Sequence, residues 1–153
     1  MKSFFVVRIG RFHFGIPAEY VRRALPVIPH LEAPLLKPNF GGLVLYNKRF
    51  IAKLFLDNVL QIGLYRQADS ITMDSTVIFE VSGVTFCSTV DEVLPVTPVE
   101  EHQILPIDAA LVTREPIFPK PEYLLGYFEH RQKHVYILNM PHIFQRSFTV
   151  SPN

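Results

Sequence analysis

The chain has 153 residues, 48% hydrophobic and 19% charged, with Lys plus Arg at 15 and Asp plus Glu at 14. That balance excludes a disordered chain, argues against wholesale binding to nucleic acid or an acidic membrane, and suits one ordinary domain or two very small interlocked ones. The 13 prolines exclude a bundle of long helices, and Cys87, as the one cysteine, excludes an intrachain disulfide and a cysteine metal cage.

Phe4 to Ile9 and Arg11 to Ile16 read as a hairpin turning at Gly10. Arg8 interrupts the leading apolar run far short of a signal-peptide core or a membrane span, so a cytoplasmic protein is expected. Pro17 to Ala24, with proline at its start and Pro26 beyond its end, is a predicted short helix. Gly42 opens a second hairpin, Leu43 to Tyr46 and Phe50 to Leu56 about a polar turn, and Leu56 to Leu60 before Gly63 is a second predicted helix. Thr76 to Val81 and Val84 to Val90 turn at Gly83. Val99 to Glu122 holds Pro106, Pro116, Pro119 and Pro121 and is expected to be an extended connection. Gly126 opens the last hairpin, Tyr127 to His130 and His134 to Met140 about Arg131-Gln132-Lys133, and Pro141 to Phe144 is a third short helix. Runs such as Leu54-Phe55-Leu56 exceed strict alternation, as in strands buried on both faces.

This order contains a repeat. Val21-Arg22-Arg23-Ala24-Leu25-Pro26-Val27-Ile28-Pro29 recurs as Val90-Asp91-Glu92-Val93-Leu94-Pro95-Val96-Thr97-Pro98, displaced by 69 residues. Each half then reads as hairpin, short proline-terminated segment and hairpin, about five strands, which suffice to close a small barrel. The expectation is one all-β domain, residues 1–153, with pseudo-repeat halves 1–66 and 67–153 and few helices. Charge divides the same way: ten basic and three acidic residues up to Arg66 give +7, and the remainder carries −6. The halves either attract each other across their junction or face different partners.

Candidate chemistry is sparse. His130 and His134 flank a turn and could face each other across the hairpin as half of a metal site, with His102 and Asp108 to complete it, but nothing in the sequence fixes their approach. Solvated turn histidines are expected, and no metal or cofactor. Cys87, on a predicted strand, is expected to be a small buried hydrophobe rather than a nucleophile. The chain has no nucleophile elbow, phosphate loop or dinucleotide fingerprint, so no catalytic residue is expected. Phe12, Phe14, Lys48, Arg49 and Phe50 combine aromatics with positive charge, as a small nucleic-acid-binding barrel would. Against that, alternating Phe residues are ordinary barrel core, and the acidic half repels phosphate. A protein-binding module remains.

Three stretches then line up in order: Phe14-Gly15-Ile16-Pro17 followed by Val21 and Leu25-Pro26; Phe86 through Val90 to Leu94-Pro95; and Tyr123-Leu124-Leu125-Gly126 through Val135-Tyr136-Ile137-Leu138-Asn139. With the duplicated spacing, they resemble the CheW-like domain of bacterial chemosensory arrays over almost the whole chain. The resemblance implies two interlocked five-stranded SH3-like barrels. It also implies a non-catalytic adaptor, without cofactor, that joins the cytoplasmic tip of a chemoreceptor to the regulatory domain of a CheA-type histidine kinase. Such a protein is recruited to arrays at the inner face of the membrane without inserting into it, and does not bind nucleic acid.

The first Gly-hairpin departs from the family's G-V-I-N-L-R-G and P-V-I-D-L pattern. Anchoring on Gly42 puts Asn47 at the arginine, Lys48 at the glycine, Ala52 at the proline and Phe55 at the aspartate. Anchoring on Asp57 aligns Asn47-Lys48-Arg49 with N-L-R and Gly63 with the later glycine, but loses the glycine after the arginine. The second recovers more polar and glycine positions and is the expected register. The altered hairpin also fits an adaptor of a divergent system, such as one controlling pili and twitching motility. By this resemblance the partner surface is the hairpin. Arg49 reaches a partner carboxylate, Asn47 shapes the turn with Lys48 beside it, Asp57 orients the arginine, and Leu43, Leu45, Phe50 and Leu54 form an apolar strip.

Overall fold

Two-residue turns build the fold. Ile9↔Phe12, Tyr46↔Arg49, Val81↔Val84 and His130↔Lys133 close antiparallel hairpins. The backbone has positive φ at Gly10, at Asn47 and Lys48, at Ser82 and Gly83, and at Arg131 and Gln132, which matches the right-handed twist of the flanking strands. The structure, a computed structural model, describes residues 1–26, 40–62, 75–108 and 121–148. Val27, Ile28 and Pro29 of the repeat, Gly63, and the middle of the proline-rich connection lie outside the described residues.

The strands are β1 (Lys2–Ile9), β2 (Phe12–Pro17), β3 (Val21–Pro26), β4 (Phe40–Tyr46), β5 (Arg49–Leu54), β6 (Ser75–Val81), β7 (Val84–Val90), β8 (Glu92–Val93), β9 (Thr97–Val99), β10 (Leu124–His130) and β11 (Lys133–Leu138). The helices are α1 (Leu56–Leu60) and α2 (Met140–Phe148). One sheet runs β10-β11-β2-β1-β8, with β9 also on β1, and the other runs β3-β6-β7-β5-β4. The chain is mostly β, as expected, in sheets of six and five strands. Among the described residues, no pairing closes either sheet into the barrel that strand number suggested. In the first sheet Pro95 and Pro98 remove ladder donors and hold β8 and β9 to two and three residues.

Each sheet still curls round its own apolar cluster: Phe4, Val6, Val99, Phe128, Val135 and Ile137 in the first, and Val44, Ile51, Ile78 and Cys87 in the second. A larger cluster lies between the sheets and joins Val7, Phe12, Phe14 and Ile16 to Leu54, Leu56, Phe79 and Phe86. Leu54-Phe55-Leu56 does not alternate for a different reason from the one expected: β5 ends at Leu54 and α1 begins at Leu56, so the buried run spans a strand-to-helix junction rather than a strand buried on both faces.

The internal repeat is exact in register for the second and last hairpins. Phe40↔Leu54 and Gly42↔Lys53 recur 84 residues later as Leu124↔Leu138 and Gly126↔Ile137, with a bulge at the same place. Lys53, buried over the Phe55 ring, stands where Ile137 stands in the other sheet. The other two hairpins are exchanged: β1–β2 pairs with β8, β9 and β11, and β6–β7 pairs with β3 and β5. Neither half of the chain supplies a complete sheet. Ion pairs of Arg8 with Glu92 (3.1 Å) and Asp91 (3.8 Å), and of Arg22 with Glu80 (2.9 Å), each join a first-half cation to a second-half acid.

Two further sequence expectations need correction. Pro17 to Ala24 is not a helix: a 3-10 turn at Ala18–Tyr20 leads into β3, because Val21 and its successors gain ladder bonds with β6 that a helix would forgo. The connection from Val99 is not wholly extended, since Glu101–Gln103 form a 3-10 turn and Leu105 then pairs with Tyr127. Helix α1 forms as expected, and α2 runs beyond Phe144. Asn139 starts α2 by accepting the His142 N–H at 3.2 Å, and Phe144 and Phe148 pack on Phe86 of the other sheet.

Candidate partner-binding surface

The β4–β5 hairpin presents apolar and cationic groups together. Leu45 and Phe50 oppose each other across the ladder, and each is 58% exposed. Half-buried Leu43 and Ala52 form the next pair on the same face, since directly paired residues share a face and alternate pairs repeat it. Asn47, Lys48 and Arg49 at the tip are all exposed. A concavity of about 580 Å³ separates this tip from the neighbouring β6–β7 turn, with Arg49 and Phe50 on one side and Gly83, Val84 and Thr85 on the other. Val84 and Thr85 were not legible as part of this surface: only the parallel pairing of Ala52 with Phe86 brings β7 beside β5.

Leu54 and Asp57 do not belong to it. Leu54 is 0% and Asp57 2% exposed, because β5 passes from an exposed tip into the core between the sheets. The strand from Arg49 to Leu54 spans roughly 17 Å at an extended rise, so Asp57, beyond it in α1, does not orient Arg49. The apolar strip is therefore Leu43, Leu45, Phe50 and Ala52.

The remaining candidates are placed as follows. Burial pushes the Cys87 thiol up to about 12, with the Lys53 charge working weakly the other way. His134 opposes Glu129, with Nε2 3.2 Å from Oε1, whereas His130 opposes Lys133. The two histidines thus lie on opposite faces of the ribbon. Among the described residues, no three His, Cys, Asp or Glu side chains converge. Phe12 and Phe14 are buried between the sheets and offer no ring to a base. Among the described residues, no helix is long and apolar enough to cross a membrane.

Two interlocked sheets over three apolar clusters, with a hairpin that carries the exposed Leu45 and Phe50, define a β-rich class of domain. The chain belongs to the CheW-like domain family, which it matches over residues 3–148, a family of chemotaxis scaffold and adaptor domains. Its fold is similar to that of the scaffolding protein TtCheW from Thermoanaerobacter tengcongensis. The two share 18% identity at a TM-score of 0.76, over 94% of this chain and 92% of that one. No curated protein matches the chain.

Turn geometry bears on the register of the first Gly-hairpin. Anchored on Gly42, the pattern's glycine falls on Lys48, whose φ is +64°. That is the second central position of the turn, where glycine is favoured. Anchored on Asp57, the glycine falls on Phe50, inside an extended strand. The geometry thus favours the Gly42 register over the expected one.

Proposed function

We propose that this protein is a non-catalytic chemosensory adaptor that couples the cytoplasmic tip of a chemoreceptor to the regulatory domain of a CheA-type histidine kinase. It works without a cofactor and is recruited to receptor arrays at the inner face of the membrane. The observation that carries the assignment of a surface is the Leu45–Phe50 pair, two large apolar side chains opposed on a rigid hairpin beside the exposed Arg49. An exposed apolar pair with a neighbouring guanidinium suits a hot spot, in which apolar contact excludes water around a charge-assisted hydrogen bond. Leu43, Asn47 and Lys48 extend it. Family membership supports the adaptor reading, and the altered turn supports a divergent partner, in flagellar or pilus control.

Calorimetry of Arg49→Ala and Phe50→Ala against the regulatory domain of the cognate kinase tests the assignment. Each change should weaken binding by about 1–3 kcal/mol. Thermal unfolding should move little, because both side chains are exposed. Affinity unchanged in both variants would remove this hairpin from the interface.

A further inference from the structure

The other sheet carries a second concave surface, remote from that hairpin in the strand order. Strands β2 and β11 run parallel with Val135 opposite His13, so the turns that precede them meet at one end of the sheet. Two adjoining depressions lie there and share His13 and Lys133 as a common wall. One, of about 440 Å³, adds Arg11, Gln132 and His134. The other, of about 310 Å³, has the buried Val6 and Val135 as its floor and is lined as well by Leu94, Val96 and Arg131.

No acidic side chain is among the residues that line either depression, although the second half of the chain is acidic. Neighbouring Arg8 is neutralised by Asp91 and Glu92, but among the described residues Arg11 and Lys133 pair with no carboxylate. Arg11 instead lies over the Phe12 ring at 5.2 Å. The groove therefore combines a positive rim with an apolar floor, and Val96, 52% exposed, lies at its edge. Unneutralised cations beside apolar surface complement carboxylates flanking an aliphatic side chain. A nucleic acid strand fits less well, because the rings here, Phe12 and Tyr136, are buried and leave no face for stacking.

We propose that this groove docks an acidic peptide segment of a partner protein, with an aliphatic side chain on the Val6–Val135 floor and its flanking carboxylates on Arg11 and Lys133. The surface is distinct from the β4–β5 hairpin, and its test needs neither kinase nor receptor. A short fluorescein-labelled peptide of repeated Glu-Glu-Leu units is titrated into the full chain, by anisotropy and by amide spectra of isotope-labelled protein. Binding should perturb amides at 11–13, 94–98 and 130–135 and weaken steeply as salt is raised. Arg11→Glu with Lys133→Glu should loosen binding by at least about tenfold, and the milder Arg11→Gln with Lys133→Gln by several-fold, with amide spectra showing that both remain folded. Val96→Asp should weaken it as well. The proposal is overturned if the peptide does not bind, if the charge variants bind as tightly as the parent, or if a polyglutamate peptide without leucine binds equally well. It is equally overturned if a single-stranded RNA oligonucleotide occupies the same amides more tightly than the peptide.

Discussion

A Cβ added to Gly126 would lie 2.7 Å from the Leu105 carbonyl oxygen and 3.2 Å from the Ile104 side chain. Leu105 exchanges both backbone hydrogen bonds with Tyr127, at 2.8 and 2.9 Å, so the carbonyl cannot retreat without breaking them. Gly126→Ala should therefore cost about 1–3 kcal/mol in urea unfolding and expose the Leu105 and Tyr127 amides to exchange. An unchanged midpoint would mean that the segment yields freely. His13 makes a second residue-scale prediction. Burial first, then the charges of Lys133 and Arg8, lower its pKa below the usual 6.5, with Glu92 opposing them. Below 6.5 the unfolded chain binds the proton more readily than the folded one. The stability His13 contributes is thus present above 6.5 and lost as pH falls through the folded value. An imidazole titration by NMR should place the midpoint below 6.5, and Lys133→Ala should raise it only in part, because burial is the larger cause. Cys87 could be placed from its strand context alone. Asp57 could not, because nothing local distinguishes an aspartate facing solvent from one folded under a neighbouring sheet.

Among the elements, the β4–β5 turn is held by side chains that prefer another geometry. Asn47 tolerates its φ of +47°, but Lys48 at +64° occupies a left-handed region unfavourable to residues with a Cβ. Lys48→Gly should stabilise the protein by about 1 kcal/mol and raise the unfolding temperature by a few degrees. No change would indicate that the lysine side chain makes a compensating contact. The hairpins themselves were legible, because glycine or polar turns separate alternating apolar runs at matched spacing, and Gly42 and Gly126 do occupy equivalent ladder positions. Pro17 to Ala24 was misread as a helix because its proline signals suit a helix start, while the competing strand bonds come from β6, more than fifty residues away.

For the whole molecule, the exchange of hairpins couples the halves. A fragment from Met1 to Arg66 would retain β1–β2 without β8, β9 or β11, and β3 and β5 without β6 and β7. Its apolar clusters would be opened to water, and the charges that Arg8 and Arg22 meet in the second half would be missing. The fragment should aggregate or show no cooperative thermal transition and no amide dispersion. A sharp transition in the isolated fragment would show that each half folds alone.

Composition, turn chemistry and the duplicated V-x-x-[AV]-L-P-V-x-P pattern were enough to determine an all-β chain of paired hairpins, because these depend on short-range preferences and a period that can be counted. Which hairpin joins which sheet was decided only in three dimensions, since ladder bonds between distant strands leave no local mark on either. The same holds for the surface. Phe50 and Leu54 have the same parity on β5 and look alike in sequence, but one ends 58% exposed and the other 0%, because only the far end of the strand enters the core shared with the first sheet.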